Sequence, residues 1–340
     1  MSMIEKEPFR FIMPSSDIAK KERIRHISDQ FEQFLHLDAF KEFLCILDIP
    51  YGAAEDIYNA LNDSEYNTRN KKGSVSAPAE SQDAPSQRTL ESLREALFPL
   101  YADMGLVTIN KPRMTDFNRL LIFGGTPNSN FDKARCAFSL INSDTNITEL
   151  SGLGSFRSIS ALDKSNVRKY QKTDISNCET EFDSIEAAFK KYSGVSEYID
   201  REGCLNTAEN RWRIRSYLKK DRFPAVRVFA SPKRERADRA GTYDTCVHYF
   251  ENIAGNDNEL RILAITNNQY VNYQFIPLAM AMLESPSYHD HSCDIDVIGC
   301  SSDHDLAAEN TYTPIQYYGD IMAICEWICK FRKKFSKYLY

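Results

Sequence analysis

The residues best suited to ligand chemistry form a glycine-bearing turn between an apolar run and a helical pattern. Leu120–Phe123 has the composition of a strand that is buried on both faces. Gly124 and Gly125 then allow a tight turn, and one of the polar residues 128–130 can cap the helix that follows. Because the first N–H groups of a helix are unpaired and lie at the positive end of its dipole, this turn predicts a site for an anion.

Similar polar or glycine-bearing turns follow other apolar runs in the second half of the chain. Parallel strands of an α/β sheet end at one edge, so these turns would line one crevice. Each turn alone is also typical of ordinary loop chemistry, and only their coincidence favours a site. The candidate ligand-binding residues are Gly124, Gly125, Thr126, Asn128, Ser151, Gly152, Arg239, Gly241, Thr242, Thr266 and Asn267.

Two acidic residues at predicted helix starts are the candidate catalytic groups. Glu181 follows Thr180, and Asp244 follows a Gly-Thr pair. Either could act as a general acid or base, and Glu181 could instead accept a hydrogen bond from a ribose hydroxyl. A carboxylate at a helix start is also stabilised by the helix dipole alone, so a structural role stays open. Arg239, in a basic loop, is predicted to hold an anion.

The histidine and cysteine positions do not indicate a metal centre. His289, His291, Cys293 and His304 lie near one another in sequence, but the fixed ligand spacing of a zinc site is absent. The chain also lacks the Gly-x-Ser-x-Gly, Walker, His-Glu-x-x-His and Cys-x-x-Cys motifs. We therefore predict no metal, and the incomplete glycine fingerprint does not support a standard NAD site.

Composition indicates a globular protein with a full-sized core, since the 340 residues are 42% hydrophobic. The formal net charge of -6 argues against nucleic acid as a partner. The nine cysteines are odd in number and scattered, which indicates reduced thiols. No signal peptide is predicted, and no uncharged run reaches the ~18 residues of a membrane span. We expect a cytoplasmic location where the protein is made, with export independent of a signal peptide left open.

From residue 112 to 340, short apolar strands alternate with amphipathic helices. This alternation predicts an α/β fold with a Rossmann-like, doubly wound, mostly parallel five-stranded sheet. The predicted strands are Leu120–Phe123, Ile147–Leu150, Ala225–Ala230, Arg261–Thr266 and Asp294–Gly299, and the predicted helices are Phe131–Ile141, Glu181–Tyr192, Tyr243–Ile253, Phe275–Leu283 and Ile321–Phe335.

A helical N-terminal segment, residues 1–111, precedes this domain. Within it, residues 64–88 are rich in Ser, Asn, Asp, Ala and Pro, which predicts a flexible linker. The domain itself carries two insertions, at 155–178 and 196–222.

Basic residues of the second insertion and of the C-terminus each allow two interpretations. In 196–222, arginines and lysines alternate with Trp212 and Tyr217, which favours one helix with a solvated basic face over a nucleic-acid or polyphosphate site. The C-terminal helix has an apolar stripe and a basic face. Its interpretation as the closing helix of the sheet is favoured over membrane contact.

Five short motifs occur in order: Leu121-Ile-Phe-Gly-Gly125, Leu150-Ser-Gly152, Thr180-Glu181, Arg239-Ala-Gly-Thr-Tyr-Asp244 and Ala264-Ile-Thr-Asn267. Their order and spacing resemble the bacterial DUF218 group, the family of YdcF, SanA and ElyC. The resemblance implies a Rossmann-like fold with a polar pocket for a small anionic or nucleotide-like ligand, which is S-adenosylmethionine in part of the family. By this match, Glu181 and Asp244 line the pocket together with most of the candidate ligand-binding residues.

The chain departs from the family at positions that carry chemistry. Tyr270 and Tyr273 stand where the family usually has a His and an Arg, and Tyr243 and Asp244 stand where it often has Asn and Glu. These differences affect the shared chemistry more than the pocket.

Two functional hypotheses follow. The first is an enzyme acting on a nucleotide-like or phosphorylated small molecule, with Glu181 or Asp244 in acid–base roles and Arg239 on the anion. The second is a non-catalytic binding or interaction protein, for example a secreted effector, that keeps the pocket without the family's chemistry. The sequence does not identify a cofactor, and S-adenosylmethionine and a nucleotide are the candidates for the pocket.

Overall fold

A seven-stranded sheet forms the centre of the molecule in a computed structural model. The structure describes residues 7–67, 85–107, 111–141, 146–218, 224–234, 240–254, 259–286, 292–300 and 312–339. The strands are β1 (Arg119–Phe123), β2 (Glu149–Gly154), β3 (Tyr198–Cys204), β4 (Arg211–Tyr217), β5 (Ala225–Ala230), β6 (Glu259–Asn267) and β7 (Ser292–Cys300).

The sheet is mostly parallel, and its strand order is β3-β4-β5-β2-β1-β6-β7. The five strands from β5 to β7 in this order are parallel to one another, whereas β3 and β4 form an antiparallel hairpin and β4 pairs antiparallel with β5. The five predicted strands are all present. The fold class is therefore α/β and compatible with a Rossmann-like fold, but the sheet has seven strands and not five.

Helices cover both faces of the sheet and continue into the N-terminal part of the chain. A one-turn π-helix at 167–171 and a short 3-10 turn at 268–270 complete the helical elements. The α-helices are α1 (Lys20–Leu35), α2 (Asp38–Ile46), α3 (Ala54–Asp63), α4 (Pro85–Ser92), α5 (Arg94–Asp103), α6 (Pro127–Ile141), α7 (Ala161–Asn166), α8 (Glu181–Ser193), α9 (Thr242–Asn252), α10 (Val271–Glu284), α11 (Pro314–Lys334) and α12 (Ser336–Leu339).

Alternate side chains of β1 enter two separate apolar cores, as expected for a strand with both faces covered. Leu120 and Ile122 pack in the core that contains α6 and α8. Leu121 and Phe123 pack in the core that contains α9, α10 and α11. The four side chains are at most 1% exposed, which explains the continuous apolar run in the sequence.

The N-terminal helices extend the second core. The rings of Phe31 in α1 and Phe331 in α11 meet edge to face with centroids 5.0 Å apart. Arg10 forms a buried ion pair with Asp296 in β7 and donates a 2.6 Å hydrogen bond to the carbonyl oxygen of Val297. Burial and the nearby Arg113 lower the pKa of Arg10 to about 10. One apolar core thus joins residues 11 to 335. Of the predicted linker, residues 68–84 lie outside the described residues.

The apolar stripe of the C-terminal helix is used inside the protein. Ile328, Phe331 and Phe335 are at most 3% exposed, within the core shared with the N-terminal helices. Three cations of this region also have protein partners. Arg332 pairs with Glu32, Lys334 with Glu284 and Lys330 with Glu326. These contacts match the favoured interpretation of a closing helix.

The second insertion is a β-hairpin, and the prediction of a single helix there was wrong. In β4, the arginines at 211, 213 and 215 alternate with Trp212, Ile214 and Ser216, which is a period of two. Two of these arginines are paired across the hairpin: Arg213 bonds Glu202 at 2.9 Å, and Arg215 bonds Asp200 at 2.6 Å. These pairs neutralise part of the basic face, and residues 219–222 lie outside the described part of the chain.

The buried imidazole of His248 makes stability depend on pH. It lies in α9 between the rings of Trp212 and Phe229, with centroids 5.7 and 5.8 Å away. Burial, and then Arg234 and Arg201, lower its pKa from 6.5 to about 4. Between pH 4 and 6.5, His248 therefore binds a proton more readily in the unfolded chain than in the folded protein. Stability should therefore fall as pH falls from 6.5 to 4, by roughly 3 kcal/mol in total.

Urea unfolding of the wild type and of His248→Asn at several pH values from 7.5 to 4 measures this effect. The advantage of the wild type over the variant should shrink as pH falls. His26→Asn is the matched control, because His26 is exposed and its variant should follow the wild-type curve. Parallel curves for the wild type and His248→Asn would contradict the prediction.

Candidate functional site

The strand order reverses at β1, and we call the region between the carboxyl ends of β1 and β6 the crevice. From β1 the chain adds β2 and β5 on one side, and later β6 and β7 on the other. In open α/β sheets, ligands bind outside the carboxyl ends of the strands at such a reversal. Gly124, Gly125 and Thr126 follow β1, while Thr266 and Asn267 end β6. The structure thus brings these predicted residues to the two sides of one crevice.

The two glycines of the first turn are required by the side chains packed against them. A Cβ atom on Gly124 would lie 2.7 Å from Oε1 of Glu181 and 2.7 Å from the carbonyl oxygen of Leu153. A Cβ atom on Gly125 would lie 3.0 Å from Nζ of Lys133. Neither glycine has a positive φ angle. Glycine is needed here for close approach and not for a left-handed backbone.

Glu181 is the first residue of α8, and its buried carboxylate holds the turn in place. Oε2 accepts a 2.6 Å hydrogen bond from the hydroxyl of Ser155, directly after β2. Oε1 accepts a 3.2 Å hydrogen bond from Arg157, whose guanidinium also donates to the carbonyl oxygen of Gly125. Both carboxylate oxygens therefore have protein partners, and the catalytic role of Glu181 stays a prediction.

Lys133 places a cation beneath the same turn. Its side chain is 2% exposed, and Nζ donates a hydrogen bond to the carbonyl oxygen of Phe123, the last residue of β1. Burial lowers the pKa of Lys133 to about 8, while the nearby Glu181 carboxylate opposes this shift and Arg157 adds to it. The turn therefore lies over two cations and one carboxylate.

The first turn of α6 spans the crevice to β6. The hydroxyl of Ser129 donates a 2.7 Å hydrogen bond to Oδ1 of Asn267. The amide of Asn267 in turn donates to the hydroxyl of Tyr312 at 3.2 Å. The two sides of the crevice are thus joined by neutral groups that can also serve as hydrogen-bond partners of a ligand.

Asn130 carries an unused acceptor at the same helix end. Its amide donates to the hydroxyl of Ser184 at 2.8 Å, but its buried Oδ1 has no hydrogen-bond partner among the residues that the structure describes. That oxygen lies 3.7 Å from the position of a Cβ atom on Gly125. Buried polar atoms are nearly always paired, so an unpaired one beside the turn is consistent with a ligand or water donor.

The first insertion supplies further residues to this end of α6. Gln171, in the π-helical turn, donates 2.9 Å hydrogen bonds to Oδ1 of Asn128 and to Oδ1 of Asp132. Asn128 thus lies in the first turn of α6 with its side-chain oxygen held by the insertion, and its role in ligand binding stays a prediction. Residues 155–178 are part of the site's wall and not only a longer connection.

Two predicted ligand-binding residues lie inside a strand and not in a turn. Ser151 and Gly152 are inside β2, which continues to Gly154, four residues beyond the predicted end of this strand. The buried Ser151 hydroxyl donates to Glu149 at 2.8 Å. A Cβ atom on Gly152 would lie 2.4 Å from Cγ2 of Ile185. These residues pack the sheet against its neighbours, and their placement in a loop was wrong because small residues were taken for a turn.

Gly241 and Thr242, which were predicted to form a ligand-binding turn, lie at the start of α9, the helix that follows β5. The backbone N–H of Gly241 donates to Oδ2 of Asp244 at 2.8 Å, so the carboxylate caps the helix that starts at Thr242. β5 is separated from β1 by β2, which leaves this turn away from the reversal between β1 and β6. Arg239 lies outside the described residues. The catalytic role of Asp244 stays a prediction.

Sequence reasoning missed residues that only the fold brings to the turn. Lys133 was not among the predicted site residues, although its spacing from Asn130 and Ala137 places all three on the buried face of α6. That spacing is a signal that could have identified it. Nothing in the sequence indicates Ser155 or Arg157, because their partner Glu181 is more than 20 residues away.

The chain matches no family model, no curated protein and no solved structure. The resemblance to the DUF218 group therefore stays a prediction. Across the described ranges, no cluster of three or more His, Cys, Asp and Glu side chains could hold a metal ion, and His289, His291 and His304 lie outside those ranges. Within the same part of the chain, every helix is too short or too polar to cross a membrane.

Gly124→Ala should lower the free energy of unfolding by about 1–3 kcal/mol. The added methyl group would overlap the carbonyl oxygen of Leu153, which belongs to a central strand and cannot move freely. Gly52→Ala is the matched control, since its nearest neighbours are 3.7 Å away, at ordinary contact distance. Urea unfolding of the three proteins tests this, and equal effects of the two substitutions would contradict it.

Proposed function

We propose that this protein binds a small anionic ligand, phosphorylated or nucleotide-like, in the crevice between the carboxyl ends of β1 and β6. The observation that carries the proposal is the position of α6, whose N-terminus opens at the point where the strand order reverses. A helix N-terminus offers unpaired N–H groups and a favourable dipole for an anion.

The groups around the crevice suit such a ligand. In α6, the first backbone hydrogen bond runs from the N–H of Asn130 to the carbonyl oxygen of Thr126. The N–H groups that precede Asn130 in the helix do not take part in its backbone hydrogen bonds. Lys133 and Arg157 supply two cations beside the crevice, close to the carboxylates of Glu181 and Asp132. The side-chain amide of Asn267 can form hydrogen bonds with hydroxyl or amine groups of a ligand.

S-adenosylmethionine and nucleotides are the ligands to test first. The resemblance to the DUF218 group suggests the former, and the helix N-terminus suits the phosphates of the latter. A thermal-shift screen against S-adenosylmethionine, adenosine nucleotides, nucleotide sugars and inorganic phosphate compares both with a simple anion. Stabilisation by a ligand that binds only the folded state rises with its concentration over its Kd.

The proposal concerns binding and does not specify a reaction. Glu181 is held by Ser155 and Arg157, and Asp244 caps α9, so both candidate acid–base groups have structural partners. Tyr270 and Tyr273, where the family usually has a His and an Arg, lie in and directly after the short helical turn that follows β6. These observations favour the second hypothesis, a binding or interaction protein, over an enzyme.

Ser129→Asp should weaken binding of the anionic ligand at least about tenfold, since a negative charge at the helix start repels it at a cost of ~1.4 kcal/mol or more. Ser129→Asn is the matched control, because both variants lose the serine hydroxyl and only one adds a charge. Isothermal calorimetry with the best ligand of the screen measures the difference.

The two variants should fold equally well, since a carboxylate at a helix N-terminus is stabilising. Equal affinities of Ser129→Asp and Ser129→Asn would place the anion elsewhere. A screen in which no anionic compound stabilises the wild type would refute the proposal.

A further inference from the structure

Two cysteine thiols meet beside the crevice, from elements far apart in sequence. Cys136 lies in α6, and Cys300 is the last residue of β7. The sulfur of Cys300 lies 3.5 Å from the carbonyl oxygen of Asp132, one helical turn before Cys136. The two thiols also contact each other through a hydrogen bond. Both residues are partly exposed.

The two thiols are not equivalent. The hydrogen bond from Cys300, opposed by burial and assisted by Arg135, lowers the pKa of Cys136. The same contact and burial raise the pKa of Cys300. Cys136 is thus the better nucleophile of the pair, and Cys300 is the hydrogen-bond donor that faces it. By contrast, burial raises the pKa of Cys325 in α11, which is fully buried.

We propose that Cys136 and Cys300 form a reversible redox site in which peroxide converts the two thiols to a disulfide. The two thiols are in hydrogen-bonding contact, and disulfide formation would bring their sulfur atoms to the S–S bond length of about 2.05 Å. The proposal is independent of the ligand in the crevice.

The chemistry is balanced in two steps. The Cys136 thiolate attacks one oxygen of hydrogen peroxide, the O–O bond breaks, and the departing hydroxide takes up the proton lost by the thiol, giving water and a sulfenic acid. The sulfur of Cys300 then attacks the sulfur of Cys136. The S–O bond breaks, and water leaves with the Cys300 proton. Two thiols lose two electrons, and one peroxide gains them.

The disulfide would tie the carboxyl end of β7 to the wall of the crevice. The intervening Asp132 accepts a hydrogen bond from Gln171 of the first insertion, and Asn128 shares that donor. β7 lies beside β6, whose end forms the other side of the crevice. Oxidation would therefore restrain α6 relative to the strands that it crosses.

Peptide mapping by mass spectrometry tests the proposal on the full-length reduced protein. After hydrogen peroxide and alkylation of the remaining thiols, we expect one cross-linked peptide joining residues 136 and 300, two hydrogens lighter than the separate peptides and lost on reduction. Cys136→Ser should abolish it and leave Cys300 alkylated. Cys329→Ser, which removes a thiol of α11, should retain it.

A trapping experiment distinguishes the roles of the two thiols. In Cys300→Ser, peroxide should leave Cys136 as a sulfenic acid that a 1,3-diketone reagent labels, whereas Cys300 in Cys136→Ser should stay unlabelled. Circular dichroism confirms that each serine variant is folded. Recovery of both cysteines as free thiols, or of Cys136 as a sulfinic acid without a cross-link in the folded wild type, would overturn the proposal.

Discussion

An ammonium group buried at the carboxyl end of β1 is the constraint on which the candidate site depends. Removing a charge from water costs several kcal/mol unless it gains close partners. Lys133 obtains them from the carbonyl oxygen of Phe123 and from the field of Glu181. A Cβ atom on Gly124 would lie 2.7 Å from the Glu181 carboxylate and from the carbonyl oxygen of Leu153, and one on Gly125 would lie 3.0 Å from Nζ of Lys133. The Gly-Gly turn thus allows these charged groups to approach the strand end closely.

The same charges explain the long connection after β2. The two carboxylate oxygens of Glu181 need hydrogen-bond donors at the turn. Ser155 and Arg157, at the start of the first insertion, are these donors. Arg157 also reaches the carbonyl oxygen of Gly125, so the insertion is hydrogen-bonded to the turn that it surrounds. Further along the insertion, Gln171 holds Asn128 at the helix start. The crevice wall is thus built from α6, which precedes β2 in the chain, and from the first insertion, which follows β2.

The opposite face of the sheet is closed by the N-terminal helices. Without them, the apolar stripe of α11 would be exposed, because Phe331 and Phe335 pack in the core that α1 and its neighbours share. The ion pair of Arg10 with Asp296 connects the start of the chain to the edge strand β7. The N-terminal segment therefore completes the core and leaves the carboxyl edge of the sheet to other elements.

Much of the fold was predictable because burial leaves a direct pattern in sequence. The run at 120–123 is apolar because both faces of β1 are covered, and the helices between the strands show a period near 3.6. The hairpin β3–β4 was not predicted. Arginines of β4 alternate with side chains that pack inward, and they pair with acidic residues of β3. In the sequence alone, this pattern resembles the basic face of a helix.

The sequence by itself determined the α/β class, the five parallel strands and the presence of a polar turn after β1, because hydrophobic period and turn residues are local properties. Only the tertiary structure decided which polar residues meet at that turn. It placed Ser151 and Gly152 inside a strand and brought Lys133, Arg157 and Glu181 together. Spatial proximity between distant segments depends on strand order and helix packing, and neither is encoded in the spacing of the residues concerned.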